Sequence, residues 1–220
     1  IEVRERPQAG SAQMLDELQA YAQLGPLGVP HAVSVAFDSN MTKEPNLPFA
    51  YPVVVKALSA AIAHKSDVGG VVLNVKDGDE LLAAVAQVRT ATKADRVLVQ
   101  PMVKGLGEML IGYRVDADVG PLVMLAAGGI LAEIHRDRSL RLAPVDFDEA
   151  KAMIGEVASL KALAGYRSRQ AGDLDAVARA LVALSQLAVT DGPAVAEAEV
   201  NPLLVLPKGV VAVDALVRLA

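Results

Sequence analysis

Residues 53–75 read VVVKALSAAIAHKSDVGGVVLNV and contain two apolar, β-branched runs joined by a loop of small and polar residues. Such runs predict two β-strands, and the loop before the second strand ends in Gly69-Gly70. Lys56 interrupts the first apolar run, and an ammonium group close to glycine amides suits the binding of a phosphate. The P-loop pattern GxxxxGK[ST] is absent. The alternative is a plain β-hairpin whose lysine reaches solvent, and the residues alone leave both interpretations open.

The same loop contains a histidine, His64, followed shortly by Ser66 and Asp67. Imidazole is a competent nucleophile near neutral pH, so His64 is a candidate acceptor of a phosphoryl group. The alternative is that it only forms hydrogen bonds within the loop. The other two histidines, His31 and His135, lie on predicted strands and are interpreted as structural or surface residues.

The composition narrows the class of protein. The 220 residues are 53% hydrophobic but only 3% aromatic, so the core must be aliphatic, and the net charge of -5 with few aromatic residues argues against nucleic acid as a partner. The absence of cysteine excludes disulfides and thiolate metal sites and fits a reducing compartment. No apolar run reaches the ~20 residues of a membrane span. We therefore expect a cytoplasmic domain without a membrane partner and, because the first residue is Ile, a piece of a longer chain.

The order of the predicted elements indicates an α+β fold. Helices alternate with strands, but tight turns join several strands, which favours antiparallel or mixed sheets over a doubly wound parallel sheet. Helical spacing predicts a helix over 13–24, and acidic residues at capping positions predict three more. These caps are Asp77 with Glu80, Asp146 with Glu149, and Asp173.

A second cluster of candidate residues lies near the end of the chain, in EAEVNPLLVL (197–206) and VAVDA (211–215). Alternation along a strand places Glu199 and Asn201 on one face, and the turn at 207–209 brings Asp214 back to within a residue or two of Asn201. Oxygen ligands of this kind are those that Mg²⁺ prefers. The alternative is the solvent-facing polar side of a half-buried sheet.

The segment VLVQPMV (97–103) is a third candidate. Its backbone, from Gln100 through Met102 and Val103, could face a flat base. The alternative is an ordinary core strand.

These strings occur in the same order in a known module. The chain resembles, over about residues 14–216, the ATP-grasp module of ADP-forming (NDP-forming) acyl-CoA synthetases of the acetate–CoA ligase type. The matching strings are HKSDVGGV (64–71) after VVVK, VLVQPMV (97–103), GPLVMLAAGGILAEIHRDRSLRLAP (120–144), GYR (165–167) and AEVNPLLVLPKGVVAVDA (198–215). The chain departs from the family in AAGGI (126–130) and in SRQAG after GYR.

The resemblance implies a fold of two α+β lobes with ATP held between them. The lobes would be residues 13–100 and 101–220, preceded by a linker or arm at 1–12. The residues that would contact ATP or ADP are Lys56, Ser66, Asp67, Gly69 and Gly70, then Gln100, Met102 and Val103 at the adenine, and Glu108. Asn201 and Asp214, with Glu199 nearby, would hold Mg²⁺, and His64 would relay a phosphoryl group.

The implied activity is that of one domain of an acid–CoA ligase, which forms acyl-CoA, ADP and phosphate from an acid, CoA and ATP. The acyl-CoA and the main phosphohistidine belong in this family to a separate CoA-binding module, which is the expected partner, and a homo-oligomer is open. The alternative is a regulatory nucleotide-binding domain, fused to an acetyltransferase or CoA-binding module and without synthetase activity. A further alternative is an α+β scaffold that binds no nucleotide.

Overall fold

The structure is a computed structural model that describes residues 12–128, 137–165 and 170–220. The helices are α1 (Glu17–Leu24), α2 (Gly78–Thr92), α3 (Phe147–Glu156) and α4 (Leu174–Ser185). The strands are β1 (Val35–Asp38), β2 (Val53–Ala57), β3 (Val71–Val75), β4 (Arg96–Pro101), β5 (Gly107–Asp116), β6 (Gly120–Ala127), β7 (Arg138–Leu142), β8 (Val195–Val205), β9 (Val210–Ala212) and β10 (Ala215–Leu219).

The chain divides into two compact units. The N-terminal unit comprises Asp16–Leu18 and Ala32–Val103, and the C-terminal unit comprises Gln19–His31, Lys104–Ala220 and the described residues up to Leu15. Residues 19–31 thus belong with the C-terminal unit, whereas the sequence analysis assigned them to the first lobe. The assignment of lobes at 13–100 and 101–220 stays a prediction.

The N-terminal unit is a four-stranded antiparallel sheet in the order β1-β4-β2-β3, with α2 packed against β2, β3 and β4. The two strands predicted within residues 53–75 are confirmed as β2 and β3, which pair antiparallel. β-Branched residues alternate toward α2 and form its core with the apolar side of the helix. This core contains Val53, Val55, Ala57, Val75, Leu81, Val85, Val88, Val97 and Val99.

The C-terminal unit is built on a six-stranded antiparallel sheet in the order β10-β8-β5-β6-β7, with β9 paired to β8. The helix α4 packs against β5, β6, β8 and β9, and α3 packs against α4 and β7. Inward positions of the strands alternate with outward ones, and the inward residues meet α4 in a fully buried core. The strands contribute Met109, Ile111, Val123, Leu125, Val200 and Leu203 to this core, and α4 contributes Leu181 and Leu184. The predicted α+β class with antiparallel sheets is confirmed.

All three predicted helix caps are present. Side-chain oxygens of Asp77, Asp146 and Asp173 accept the backbone N–H three residues ahead at the start of α2, α3 and α4. In α2, the Glu80 carboxylate also accepts the N–H of Lys76, the residue before the N-cap, at 2.8 Å. These caps satisfy amide groups that have no partner within the first helical turn.

The predicted helix at 13–24 begins later than expected, at Glu17. The preceding residues pair with β10 instead, since Leu15 N–H donates to the oxygen of Val217 at 2.9 Å and Leu219 N–H donates to the oxygen of Gln13 at 2.9 Å. β10 lies at the edge of the sheet, and an edge strand offers unpaired backbone groups to any nearby extended segment. Helical spacing of the side chains alone could not reveal this competing partner.

Some predictions concern residues beyond those described. Most of the arm at 1–12, His135 and the strand expected at ILAEIHR (130–136) lie outside the described residues, as do parts of AAGGI and GYR. Within the three described segments, no helix is both long and apolar enough to cross a membrane.

Asp173 also joins the turn between β8 and β9 to α4, because its second carboxylate oxygen accepts the N–H of Gly209 at 2.8 Å. We expect Asp173→Ala to lower the free energy of unfolding by about 1–2 kcal/mol, the upper range for a lost N-cap. The N–H groups of Gly209 and Ala176 hold the pKa of Asp173 below its usual value. The stabilisation is therefore present above the unfolded pKa of about 3.9 and is lost as the pH falls through the folded pKa.

Urea denaturation at a series of pH values measures this effect. The difference between wild type and Asp173→Ala should shrink below about pH 4. Asp118→Ala, at an exposed position in the turn between β5 and β6, is the matched control, expected to stay within about 0.5 kcal/mol of wild type. Equal losses in the two variants would contradict the capping role.

Candidate functional site

Lys56 lies on the face of the N-terminal sheet that is opposite α2. Its neighbours in β2, Val55 and Ala57, belong to the core cluster beneath α2, and successive side chains of a strand point to opposite faces. Lys56 is only 4% exposed. Its Nζ lies 2.8 Å from Oε1 of Glu17, the first residue of α1. The alternative of a lysine that reaches solvent is therefore wrong.

A second buried lysine meets the same carboxylate. Nζ of Lys65, in the loop after β2, lies 3.0 Å from Oε2 of Glu17. All three side chains are buried, and together they carry a formal charge of +1. We call Lys56, Glu17 and Lys65 the lysine triad. Neither Glu17 nor Lys65 was predicted as a site residue, although a carboxylate at the start of an otherwise uncharged helix is a visible signal.

The two glycines of the loop shape its return to β3. Gly69 has a φ of 70°, a left-handed conformation that glycine adopts without strain, and ends a 3-10 turn over Ser66–Val68. Gly69 N–H donates to the oxygen of Ser66, and Gly70 N–H donates to the oxygen of Lys65 at 2.7 Å. Both amides thus have partners inside the loop, and their predicted contact with a phosphate stays a prediction.

His64, Ser66 and Asp67 lie in the exposed part of this loop. The buried Lys65 separates His64 from the 3-10 turn and attaches the segment to Glu17. The exposed His64 thus directly precedes an anchored lysine in the chain. This combination suits a group that must meet an external phosphate.

The predicted base-binding segment is only partly open to a ligand. Gln100 is 1% exposed, and its Oε1 lies 3.3 Å from the hydroxyl of Ser34. Met102 N–H donates to the oxygen of Pro52 at 2.9 Å. Met102 and Val103 are half-buried at the end of β4. Gln100 shares its sheet face with Lys56, because Val99 lies in the core beneath α2.

In the C-terminal unit, Asn201 and Asp214 meet at a break in the pairing of β8. Met109 of β5 pairs with Leu203 and Ile111 with Val200, so two residues of β8 face the one residue between them. This β-bulge frees Asn201 from the regular ladder. On the other side of β8, Asn201 N–H donates to the backbone oxygen of Asp214 at 3.3 Å. The predicted proximity of Asn201 and Asp214 is confirmed.

Oxygen donors gather at this break. Asn201 is exposed, and its Nδ2 donates to Oε1 of Glu199 at 3.1 Å, while Oδ1 of Asp214 accepts the N–H of Ala215 at 2.8 Å. No group of three or more His, Cys, Asp or Glu with metal-ligand geometry occurs in residues 12–128, 137–165 and 170–220. The candidate cation ligands are therefore two carboxylates and one amide oxygen, which suit a hard cation that keeps other oxygen ligands.

Glu108 lies near the start of β5 with its side chain exposed. Its backbone oxygen accepts the N–H of Gly128 at 2.7 Å. A Cβ at Gly128 would lie 2.7 Å from the carbonyl carbon of Glu108, so only glycine fits there. The AAGGI departure from the family pattern thus retains a glycine at the position that contacts Glu108.

A family model described as an ATP-grasp domain matches residues 7–219. The chain belongs to the ATP-grasp family. Two structures of the dinucleotide-forming acetyl-coenzyme A synthetase 1 of Ca. Korarchaeum cryptofilum resemble this ATP-grasp domain, with TM-scores of 0.85 and 0.78 and identities of 31% and 33%. Each match covers 94% of this chain, and 94% and 93% of the other.

Curated relatives of this ATP-grasp domain are ligases. The chain is 37% identical over 210 residues to the ADP-forming acetate–CoA ligase I of Archaeoglobus fulgidus, which covers 92% of this chain but 30% of that protein. It is 36% identical over 172 residues to the β subunit of the ADP-forming acetate–CoA ligase I of Pyrococcus furiosus, covering 75% of this chain and 74% of that subunit. The ATP-grasp domain thus spans under a third of a full-length relative and most of a separate subunit. The predicted resemblance is confirmed.

The loop geometry can be tested with a glycine substitution. A Cβ at Gly70 would lie 2.8 Å from the backbone oxygen of Lys65, the same oxygen that accepts Gly70 N–H. We expect Gly70→Ala to lower the free energy of unfolding by about 1–3 kcal/mol, as overpacking does.

Gly155→Ala is the matched control, because a Cβ in this helical position meets nothing within 4 Å. It should stabilise the protein by about 0.5–1 kcal/mol through helix propensity. Thermal or urea denaturation compares the two variants. A neutral Gly70→Ala would contradict the close packing of the loop against Lys65.

Proposed function

We propose that this domain binds ATP with Mg²⁺ and is the nucleotide-binding part of an ADP-forming acid–CoA ligase. The observation that carries the proposal is the lysine triad, two buried cations on one carboxylate, of which Lys65 directly follows the exposed His64 in the chain. The relatives support a ligase more than the regulatory alternative, since curated proteins that share this domain include acetate–CoA and 4-hydroxybutyrate–CoA ligases. The activity of the whole protein is part of the proposal.

The lysine triad suits the phosphates of the nucleotide. Two lysines and one carboxylate carry a formal charge of +1, and burial excludes much of the water that would weaken their attraction for an anion. An ammonium has three donors, so a bond to Glu17 is compatible with further bonds to phosphate oxygens. The residues present therefore fit a polyphosphate.

Asn201, Asp214 and Glu199 suit the cation. Their oxygens are the hard ligands that Mg²⁺ prefers, and a Mg²⁺ site with few protein ligands commonly takes the rest from phosphates and water. Mg²⁺ would neutralise charge on the phosphates. A related synthetase structure contains Mg-AMPPCP, which supports the same cation here.

His64 is the proposed phosphoryl acceptor. A ring nitrogen attacks the terminal phosphorus of ATP, an N–P bond forms, and the P–O bond to ADP breaks with its electron pair leaving on ADP. The attacking nitrogen must be unprotonated. The protein positions the reacting groups and supplies positive charge next to the phosphates. The phosphoryl group then passes to the acid, and CoA displaces phosphate from the acyl phosphate.

The proposed partner is a CoA-binding module, on the same polypeptide or on a separate subunit. The relatives include both arrangements, a long ligase chain and a separate β subunit. Cytoplasmic localisation and a homo-oligomer stay predictions.

Nucleotide binding is tested by isothermal titration of the domain with ATP, with Mg²⁺ and with EDTA. We expect Lys56→Ala to weaken binding by about 1.5–3 kcal/mol in both conditions, because a charge-assisted bond to phosphate is lost. Asp214→Ala should weaken binding only with Mg²⁺. Lys43→Ala and Asp118→Ala, which change exposed charges elsewhere, are the controls. The absence of heat with any nucleotide would reject the proposed function.

The phosphoryl acceptor is tested with ATP that carries a radiolabelled terminal phosphate. We expect acid-labile label on wild type and its loss in His64→Gln, since the amide cannot form the N–P bond. His31→Gln is the control, because the ring of His31 stacks on Tyr21 at 4.5 Å and has no proposed part in the reaction. Equal labelling of His64→Gln and wild type would exclude His64 as acceptor.

A further inference from the structure

We propose that Glu17 is the positioning residue of the phosphate site, which holds the ammonium groups of Lys56 and Lys65 side by side and thereby places the loop that contains His64. This inference rests on the proposed function and assigns Glu17 as the counter-ion of the two lysines that would bind phosphate. Glu17 would not touch the nucleotide, and it acts through the two lysines.

The geometry supports a bridging role. Each oxygen of the Glu17 carboxylate pairs with a different lysine. Oε1 lies 2.8 Å from Nζ of Lys56, and Oε2 lies 3.0 Å from Nζ of Lys65. One lysine is on a strand and the other is in the following loop. A single residue therefore fixes the distance between a rigid element and a loop.

Burial makes the carboxylate necessary. The Glu17 side chain is 0% exposed, and the side chains of both lysines are 6% exposed. Two cations in this environment repel each other and have lost most of their hydration, so a counter-charge is required to keep them adjacent. Glu17 also lies in the first turn of α1, where the helix dipole favours a negative side chain.

The position of Lys65 in the chain extends this effect to the reacting group. Lys65 follows His64 directly, and its backbone oxygen accepts the N–H of Gly70 at the other end of the exposed turn. The side chain and the backbone of Lys65 therefore fix both sides of the segment 66–69. Release of Lys65 from Glu17 would loosen the chain segment that directly follows His64.

The test measures Mg-ADP affinity by isothermal titration and the labelling rate of His64, on variants whose folding is checked by circular dichroism. Glu17→Gln removes the counter-charge. Glu17→Asp keeps the charge but shortens the side chain by one methylene, so it cannot reach both lysines. We expect affinity to fall about tenfold or more in Glu17→Gln, equivalent to about 1.4 kcal/mol, and by less in Glu17→Asp.

Asp16→Asn is the matched control, because the Oδ2 of this neighbouring carboxylate lies 4.0 Å from the guanidinium of Arg96. It should leave affinity and labelling unchanged. In a Lys65→Met background, Glu17→Gln should cost less affinity than it does alone, because the residue acts through Lys65. A merely structural Glu17 would lower the melting temperature and leave affinity, labelling rate and this coupling unaffected.

The outcomes separate the two proposals. If wild type binds Mg-ADP and the folded Glu17 variants bind within about twofold of it, the positioning role is rejected and nucleotide binding stands. If wild type binds no nucleotide, the proposed function fails and the inference fails with it. If Glu17→Gln does not fold, Glu17→Asp decides the question in the same way.

Discussion

The carboxylate of Glu17, shared by two buried lysines, is the interaction on which the candidate site of the N-terminal unit depends. Without it, Lys56 and Lys65 would be adjacent cations in a place with little water, and one of them would have to leave. The strand, the loop after it and the start of α1 are thereby joined at one point. The apolar core beneath α2 holds the sheet together, but it does not determine where these charges lie.

The two units position their polar groups by different physical means. In the N-terminal unit, opposite charges hold a loop that the sheet itself does not reach. In the C-terminal unit, Asn201 owes its exposure to a bulge, and Asp214 is placed by the backbone bond between the two residues. The first arrangement depends on charge and the second on backbone register, and because the charges of the first are buried, salt screens them only weakly.

Local signals predicted much of this structure. The two strands within residues 53–75, the caps at Asp77, Asp146 and Asp173, and the closeness of Asn201 to Asp214 all follow from short-range patterns and are present. Glu17 escaped prediction because its hydrogen-bond partner Lys56 is 39 residues away, and no local pattern encodes that distance. The helix start was misplaced for the same reason, since its first residues pair with the distant β10. Which residues contact nucleotide stays a prediction.

The bulge in β8 implies that the stability of the sheet does not depend on the exposure of Asn201. Val200 and Leu203 are both fully buried although they are three positions apart in the chain, because the extra residue restores the inward orientation. A relative with one residue fewer at this point would have an uninterrupted ladder and the same inward side chains. It would retain a stable sheet while Asn201 became an ordinary strand residue. Loss of the candidate cation ligand Asn201 by such a deletion would therefore leave the buried core of the sheet in place, so a stable fold in a relative does not by itself indicate that the relative binds a cation.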